Sequence, residues 1–374
     1  MKGKGADVAI VGGGVIGCAL ARELAGRGAS VTVIEKAHPG AEASGAAAGL
    51  LAPQAEGLDP GPFFDLAVES RGLYPRWAAA LSDETGMDVG YRQAGILRCA
   101  FSGAVNPFQV FDWQLEAGVP VERLDGKEVA ALTGGATSPE VREALFFRED
   151  GLVDNVRLTA ALRHSAERRG VTFSTETAAR RFLIRDGRCV GVETERGKIS
   201  AGRVVNASGA WSSFDPAQPV PVEPVRGQIV EVESPARALT RVVQSEEVYV
   251  VPRGDSLLLG STAERTGFEK RVTAGAVRRL IEAAVRLLPS LEGATFRRAW
   301  AGLRPGTPDG LPLLGAAGVP GLYLATGHFR NGILLAPVTA LAMADELSGE
   351  SSRDLAPFSA RRFTETHRPE ALPR

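Results

Sequence analysis

Gly12-x-Gly14-x-x-Gly17 follows the apolar run Ala6–Val11 directly and opens a stretch of helical spacing, Val15–Gly26. That context gives the spacing its chemistry. Gly12 permits a tight turn, Gly14 lets the backbone approach a pyrophosphate, and Gly17 lets helix and strand pack closely. Val15 and Ile16 fall in the first helical turn, whose unpaired N–H groups and positive dipole end face the anion. Glu35 closes the next β-branched run, Ser30–Glu35, where its carboxylate can accept both ribose hydroxyls of a dinucleotide. An acidic residue there repels a 2′-phosphate, which argues against NADP. The fingerprint alone does not separate NAD from FAD.

Three further segments have the small side chains that let a backbone approach a flat ligand. Ser44-Gly45-Ala46-Ala47-Ala48-Gly49-Leu50 can pass beside a flavin ring and donate N–H groups to it, or it can be a tightly packed alanine-rich helix start. Asn206-Ala207-Ser208-Gly209-Ala210-Trp211 is a second close-approach turn. Thr326-Gly327-His328-Phe329-Arg330-Asn331-Gly332-Ile333-Leu334 repeats the order strand, glycine turn, helix. Its helix N-terminus can stabilise the negative charge that a reduced flavin develops near N1.

These segments need a scaffold, and the periodicity supplies one. Ala6–Val11, Val15–Gly26 and Ser30–Glu35 form a βαβ unit. Asp154–Arg169 is an amphipathic helix, followed by a strand at Val171–Thr175, a hairpin around Asp186-Gly187 and a strand at Arg203–Asn206. Arg241–Glu264 alternates and turns at Gly254-Asp255, as an antiparallel hairpin does. Val272–Leu288 is a long amphipathic helix stopped by Pro289, and Gly321–Ala325 is a strand leading to a helix over Gly332–Leu347. Beyond Gly349 the chain is polar and expected to fray.

Composition sets the outer limits. There are 44 glycines in 374 residues, well above the usual share of about 7 %, without a collagen repeat. Forty-three basic and 44 acidic side chains nearly cancel, so no global field recruits nucleic acid or an anionic membrane. Cys18, Cys99 and Cys189 lie far apart without CxxC spacing, which argues against a disulfide framework and a structural zinc site and fits a reducing cytosol. The uncharged apolar stretches Val8–Ala21 and Gly332–Ala344 are shorter than the roughly 18–20 residues of a membrane span. Lys2 and Lys4 before an apolar run imitate a signal peptide, but glycines interrupt that run and no clean cleavage site follows. The expectation is a soluble, cytoplasmic protein.

With these motifs, the sequence resembles the D-amino-acid oxidase superfamily of flavoproteins, and within it the glycine oxidase branch. Gly12–Gly17 with Glu35, Ser44–Leu50, Tyr249-Val250-Val251-Pro252-Arg253, Ala301-Gly302-Leu303-Arg304-Pro305-Gly306-Thr307 and Gly327–Pro337 carry the resemblance along nearly the whole chain. It implies an α/β plus α+β architecture: a Rossmann-like FAD-binding domain assembled from residues 1–85, 151–222 and 299–374, and a mostly antiparallel substrate domain from 86–150 and 223–298. Noncovalent FAD is implied, since no cysteine follows Cys189. So is oxidative deamination of glycine, with sarcosine and small D-amino acids as further substrates, by hydride transfer from Cα to flavin N5. The products would be imine or 2-oxo acid, ammonia and hydrogen peroxide, feeding thiamine thiazole synthesis in a homo-oligomer, by resemblance a tetramer.

The resemblance also assigns residues. FAD would lie against Gly12, Gly14, Val15, Ile16 and Gly17, against Glu35 and Lys36, and against Ala43, Ser44, Ala47, Ala48, Gly49 and Leu50. It would also meet Ala179, Ser208 and Gly209, then His328, Phe329, Arg330, Asn331, Gly332, Ile333 and Leu334. Arg304 would grip the substrate carboxylate through two parallel hydrogen bonds, and Pro305 holds it out of helical conformation. Tyr249 would donate to the same carboxylate, and Arg330 would touch substrate and flavin. The branch often carries methionines at Leu50 and near Ala263; Leu50 is close in size, whereas Ala263 leaves room for larger substrates. Hydride transfer needs a neutral amine and no base acting on carbon, so no side chain is assigned as a base and His328 is read as a flavin-loop residue. Two rivals share the fold: a D-amino-acid or sarcosine dehydrogenase with another electron acceptor, and a non-catalytic FAD-binding subunit. An NAD-dependent dehydrogenase leaves the Tyr249 and Arg330 segments unexplained.

Overall fold

The computed structural model describes residues 5–233, 239–350 and 353–363. Lys2, Lys4 and the tail beyond Phe363 lie outside the described residues. Two eight-stranded sheets organise the chain. In the first, Leu322–Thr326, Gly197–Asn206, Ala6–Val11, Val31–Ile34 and Thr172–Ser174 run parallel, with Leu313–Ala316 antiparallel at one edge. The hairpin Ala179–Arg185 and Arg188–Thr194 continues from Gly197–Asn206 and turns at Asp186 and Gly187, both at positive φ. Strands buried on both faces read as continuous apolar runs, which is why the sequence alone shows Ala6–Val11.

The Val15–Gly26, Asn155–Arg168 and Gly332–Ser348 helices pack with the parallel sheet in a core that includes Ile10, Leu20, Leu158 and Val338. Asp154 caps the second of these by accepting from Val156 N and Arg157 N, each at 3.0 Å. A fourth helix, Pro62–Thr85, has no counterpart among the elements expected from periodicity. Its stop signal is conventional, with Gly86 in the left-handed region, but Ser70 and Arg71 face inward and Pro75 lies within the continuous helix. Polar residues on the core face hide the helical period.

The second sheet runs Phe296–Gly306, Glu223–Glu233, Ser256–Gly260, Tyr249–Arg253, Val242–Gln244, Ile96–Phe101, Val141–Phe147, Glu122–Asp125. Every pair is antiparallel except Val242–Gln244 with Ile96–Phe101. The expected domain boundary at residue 299 falls inside Phe296–Gly306, which is hydrogen-bonded along Glu223–Glu233 and therefore belongs to this sheet. One face packs on the Ala274–Leu287 helix, where Val230, Val250 and Leu259 share a cluster with Leu280, Ala284 and Leu287. The other face carries Ile96, Ile229, Tyr249 and Val251 and turns towards Ala48, Leu50 and Ala52.

Candidate active site

A cavity of about 570 Å³ lies between the parallel sheet and the inner face of the second sheet. Its wall follows a chain of contacts. Gly13 N donates to Glu35 Oε2 at 2.8 Å, and Ala37 N donates to Glu35 Oε1 at 2.8 Å. These bonds fix the carboxylate at the end of Val31–Ile34. Gly12 has φ +109°, and a Cβ there would stand 2.4 Å from Ala207 O; a Cβ at Gly17 would stand 2.0 Å from Gly12 O. The turn therefore admits no side chain at either position. Ser44 Oγ accepts from Val15 N at 2.9 Å, closing the helix N-terminus from a distant loop. Lys36 Nζ sits 3.3 Å from the Trp211 ring centroid, forming a cation–π wall beside Glu35.

The Ser44–Leu50 loop is held from three directions. Trp300 Nε1 donates to Ala46 O at 3.1 Å, and Asn155 Nδ2 donates to Ser44 O at 2.7 Å. Arg253 Nη2 donates to Ala48 O at 2.9 Å and to Asn155 Oδ1 at 3.0 Å. Asn155 is fully buried, so its amide is satisfied by the loop it fixes. Across the cavity, Pro337 lies inside the Gly332–Ser348 helix and cannot donate to Ile333 O. The buried Tyr74 hydroxyl donates to that carbonyl instead, and Ser70 Oγ donates to Leu334 O at 2.6 Å. The Pro62–Thr85 helix thus sets the N-terminus that lines the cavity.

Arg304 leaves its strand and reaches across Gly227, where a Cβ would stand 2.1 Å from the guanidinium. Its Nη1 donates to Thr262 O at 2.9 Å and its Nη2 to Ser261 Oγ at 2.7 Å. Two of five N–H groups are thereby fixed, leaving donors for a ligand. Burial pushes the Tyr249 phenol up, opposed by Arg304 and a hydrogen bond with Ser261, so it remains a protonated donor. Arg330 Nη2 pairs with Glu56 Oε2 at 2.5 Å. The loop carrying Glu56 is tied below by Asp150, which accepts from Ala55 N at 2.8 Å and Arg71 Nη1 at 2.7 Å. Burial pushes Asp150 up to about 7, against the pull of Arg71. His328 is 3 % exposed, and burial draws it down to about 3; its Nε2 meets Thr339 Oγ1 at 3.1 Å. It is a neutral, structural imidazole.

Of the residues singled out from the sequence, the cavity wall includes all but Gly17, Leu334 and Ala263. Gly17 packs beneath the turn, and Leu334 is buried in the last helix. Ala263 is a correction. Thr262 N donates to Gln228 O at 3.3 Å and Glu264 N to Arg226 O at 2.9 Å, which draws this stretch along the sheet edge. Gly260 and Ser261 take the wall position instead. Sequence reasoning missed Glu56, Arg98, Ser261 and Gly227. Only Arg98 left a signal: in Ile96–Phe101 it shares the parity of Ile96 and Ala100, which face the cavity side.

The residues present fit FAD. A glycine-lined turn at a helix N-terminus, a fixed carboxylate after the second strand and a small-residue wall meet the needs of pyrophosphate, ribose and ring. Fold and site together define a dinucleotide-binding oxidoreductase whose antiparallel sheet covers the cofactor cavity. The chain belongs to the family described as DAO, FAD dependent oxidoreductase, whose model matches residues 7–346; FAD is its cofactor. It is 38 % identical over 362 residues to the bifunctional protein ThiO/ThiG of Trichormus variabilis, covering 93 % of this chain and 54 % of that protein. The chain thus spans about half the length of that relative. It is also 38 % identical over 366 residues to the glycine oxidase of Geobacillus kaustophilus, covering 95 % of this chain and 97 % of that one. The crystal structure of glycine oxidase from Geobacillus kaustophilus superposes with a TM-score of 0.90 at 37 % identity, covering 96 % and 98 % of the two chains. Among the described residues, no helix is long and apolar enough to cross a membrane, and no acidic, histidine or cysteine cluster could hold a metal.

Proposed function

We propose that this chain oxidises glycine, with sarcosine and small D-amino acids as further substrates, and supplies the product to thiamine thiazole synthesis. The names of its near full-length relatives support the reaction, and the ThiO/ThiG relative supports the role. The carrying observation is the convergence of Arg304 and Tyr249 on a glycine-lined cavity. FAD, when bound, supplies the acceptor for the hydride lost from Cα. Arg304 holds the substrate carboxylate through the N–H groups that Thr262 and Ser261 leave unused, and Tyr249 donates a further hydrogen bond. Glu56, paired with Arg330 at the wall, places a carboxylate beside the substrate amine, which oxidation requires in its neutral form. Leu50, Ala48 and Ile229 keep the reacting carbon in apolar surroundings. Water then hydrolyses the imine to glyoxylate and ammonia.

Oxygen is proposed as the final acceptor, giving hydrogen peroxide, and a cytoplasmic homo-oligomer as the working form. FAD is proposed to be held without a covalent bond, since no cysteine lines the cavity among the described residues. The 1–85, 151–222 and post-306 segments are proposed as the FAD-binding unit and the second sheet as the substrate unit. The test is anaerobic addition of glycine to the purified yellow protein. Bleaching, followed by recolouring and peroxide on admitting air, is expected. A flavin that glycine cannot bleach would remove the substrate, and bleaching without recovery in air would replace oxygen by another acceptor.

A further inference from the structure

Arg98 is a charged side chain on the sheet face that also carries Tyr249 and Arg304. Ile96 and Ala100 flank it at the same parity and both are buried in the cluster beneath the cavity. Its register places it in a row: Arg98 opposite Gln244, Gln244 opposite Tyr249, Tyr249 opposite Gly260. Strand spacing puts its Cα about 10 Å from that of Tyr249, on the side away from Gly260 and Arg304. Arg98 lines the same cavity as both.

Among the described residues Arg98 makes no side-chain hydrogen bond and no ion pair within 4.0 Å. Its one recorded partner is the Phe111 ring, with the guanidinium 5.9 Å from the centroid. Glu56, Glu246 and Arg330 influence it through space, but Glu56 is already paired with Arg330. Arg98 is half-buried and lines the cavity, so its N–H groups are open to a ligand there. Glycine offers nothing to it, because its single carboxylate is taken by Arg304 and Tyr249 on the other side of the row.

We propose that Arg98 is a second anion anchor and that the cavity accepts amino acids bearing a second carboxylate. This deepens the proposed glycine-oxidising role and rests on it. One carboxylate binds Arg304 and Tyr249, the amine lies near Glu56, and the distal carboxylate takes paired N–H donors from Arg98. The second carboxylate is carried either on nitrogen, as in iminodiacetate, or on the Cα side chain, as in D-aspartate. In the first case Cα loses a hydride to FAD, nitrogen loses a proton, and water adds to the C=N bond. The C–N bond then breaks to give glycine and glyoxylate, oxygen reoxidising the cofactor. In the second the same steps give oxaloacetate and ammonia.

Two matched pairs of equal shape test this on the holoenzyme: iminodiacetate against its monoamide, and D-aspartate against D-asparagine. Dissociation constants come from the substrate dependence of the flavin spectral change on rapid anaerobic mixing, and kcat/KM from oxygen uptake, with glycine run alongside. The charged member of at least one pair is expected to bind about ten-fold or more tightly than its neutral isostere, as a paired guanidinium–carboxylate contact provides, and the pair that responds identifies where the second carboxylate sits. Arg98→Gln should reduce that preference at least about five-fold relative to glycine, and Arg98→Lys should restore part of it. Equal binding within both pairs by the wild-type protein overturns the proposal, as does a preference that survives Arg98→Gln. If glycine itself fails to reduce the flavin, the underlying function fails instead, and the binding comparison still reports on Arg98.

Discussion

At the scale of single residues, the site depends on side chains that are absent as much as on those present. Gly227 is the clearest case, since a Cβ there would occupy the guanidinium of Arg304. The displaced atoms are the end of a flexible side chain, so Gly227→Ala should fold and keep its flavin. Its KM for glycine is expected to rise about ten-fold or more, which corresponds to about 1.4 kcal/mol of lost binding; steady-state kinetics with the flavin absorbance as control would check it. An unchanged KM would place Arg304 outside substrate binding. His328 gives a pH prediction. Its folded pKa, about 3, lies below the ordinary 6.5, so between those values the unfolded chain binds a proton that the folded one refuses. Its contribution to stability therefore rises with pH from about 3 to 6.5 and is flat above, with up to about 5 kcal/mol at stake. Asp150, held up to about 7, contributes in the opposite sense over much of that range, so the difference in urea midpoint between the protein and His328→Gln, followed from about pH 4 to 8, is expected to trace the His328 curve.

At the scale of elements, the Pro62–Thr85 helix carries two loads. Tyr74 satisfies the carbonyl that Pro337 leaves open, so Tyr74→Phe should cost about 1–3 kcal/mol, read as a lowered denaturation midpoint, and should loosen flavin binding. At its far end Glu84 accepts from Arg22 Nη2 at 2.6 Å and Arg169 Nη2 at 2.6 Å, tying three helices together. Burial alone would raise Glu84, but the bonds from Arg22 and Ser165 bring it to about 2. Arg22 is buried, so Glu84→Ala strands a charge and should cost about 3 kcal/mol, again by denaturation. None of this helix is legible in the sequence, because Ser70 and Arg71 break its apolar period and Pro75 suggests a stop. The opposite holds for Ala6–Val11 and the turn after it, where local chemistry dictates local shape. Arg304 can be named as an anchor from its motif, yet Gly227 beneath it cannot, since only the pairing of Glu223–Glu233 with Phe296–Gly306 brings them together. Likewise Ala263 is misplaced by sequence reasoning because the bonds drawing it to the sheet edge come from distant residues.

At the scale of the whole molecule, the cofactor cavity is bounded by segments from both ends of the chain. Ligand that binds only the folded state stabilises it, so removing FAD should lower the melting temperature by several degrees, and adding it back should restore the value. Acid precipitation should release the flavin into the supernatant; colour remaining in the pellet would mean a covalent bond. The parallel sheet carries one more consequence. Its Gly197–Asn206 strand lies between Ala6–Val11 and Leu322–Thr326, and the helix that finishes the cavity begins at Gly332. A ribosome builds those pieces in order, first to last. The nascent protein therefore holds its phosphate-binding turn long before it can hold its cofactor, and flavin capture waits until the chain has been made past Gly332.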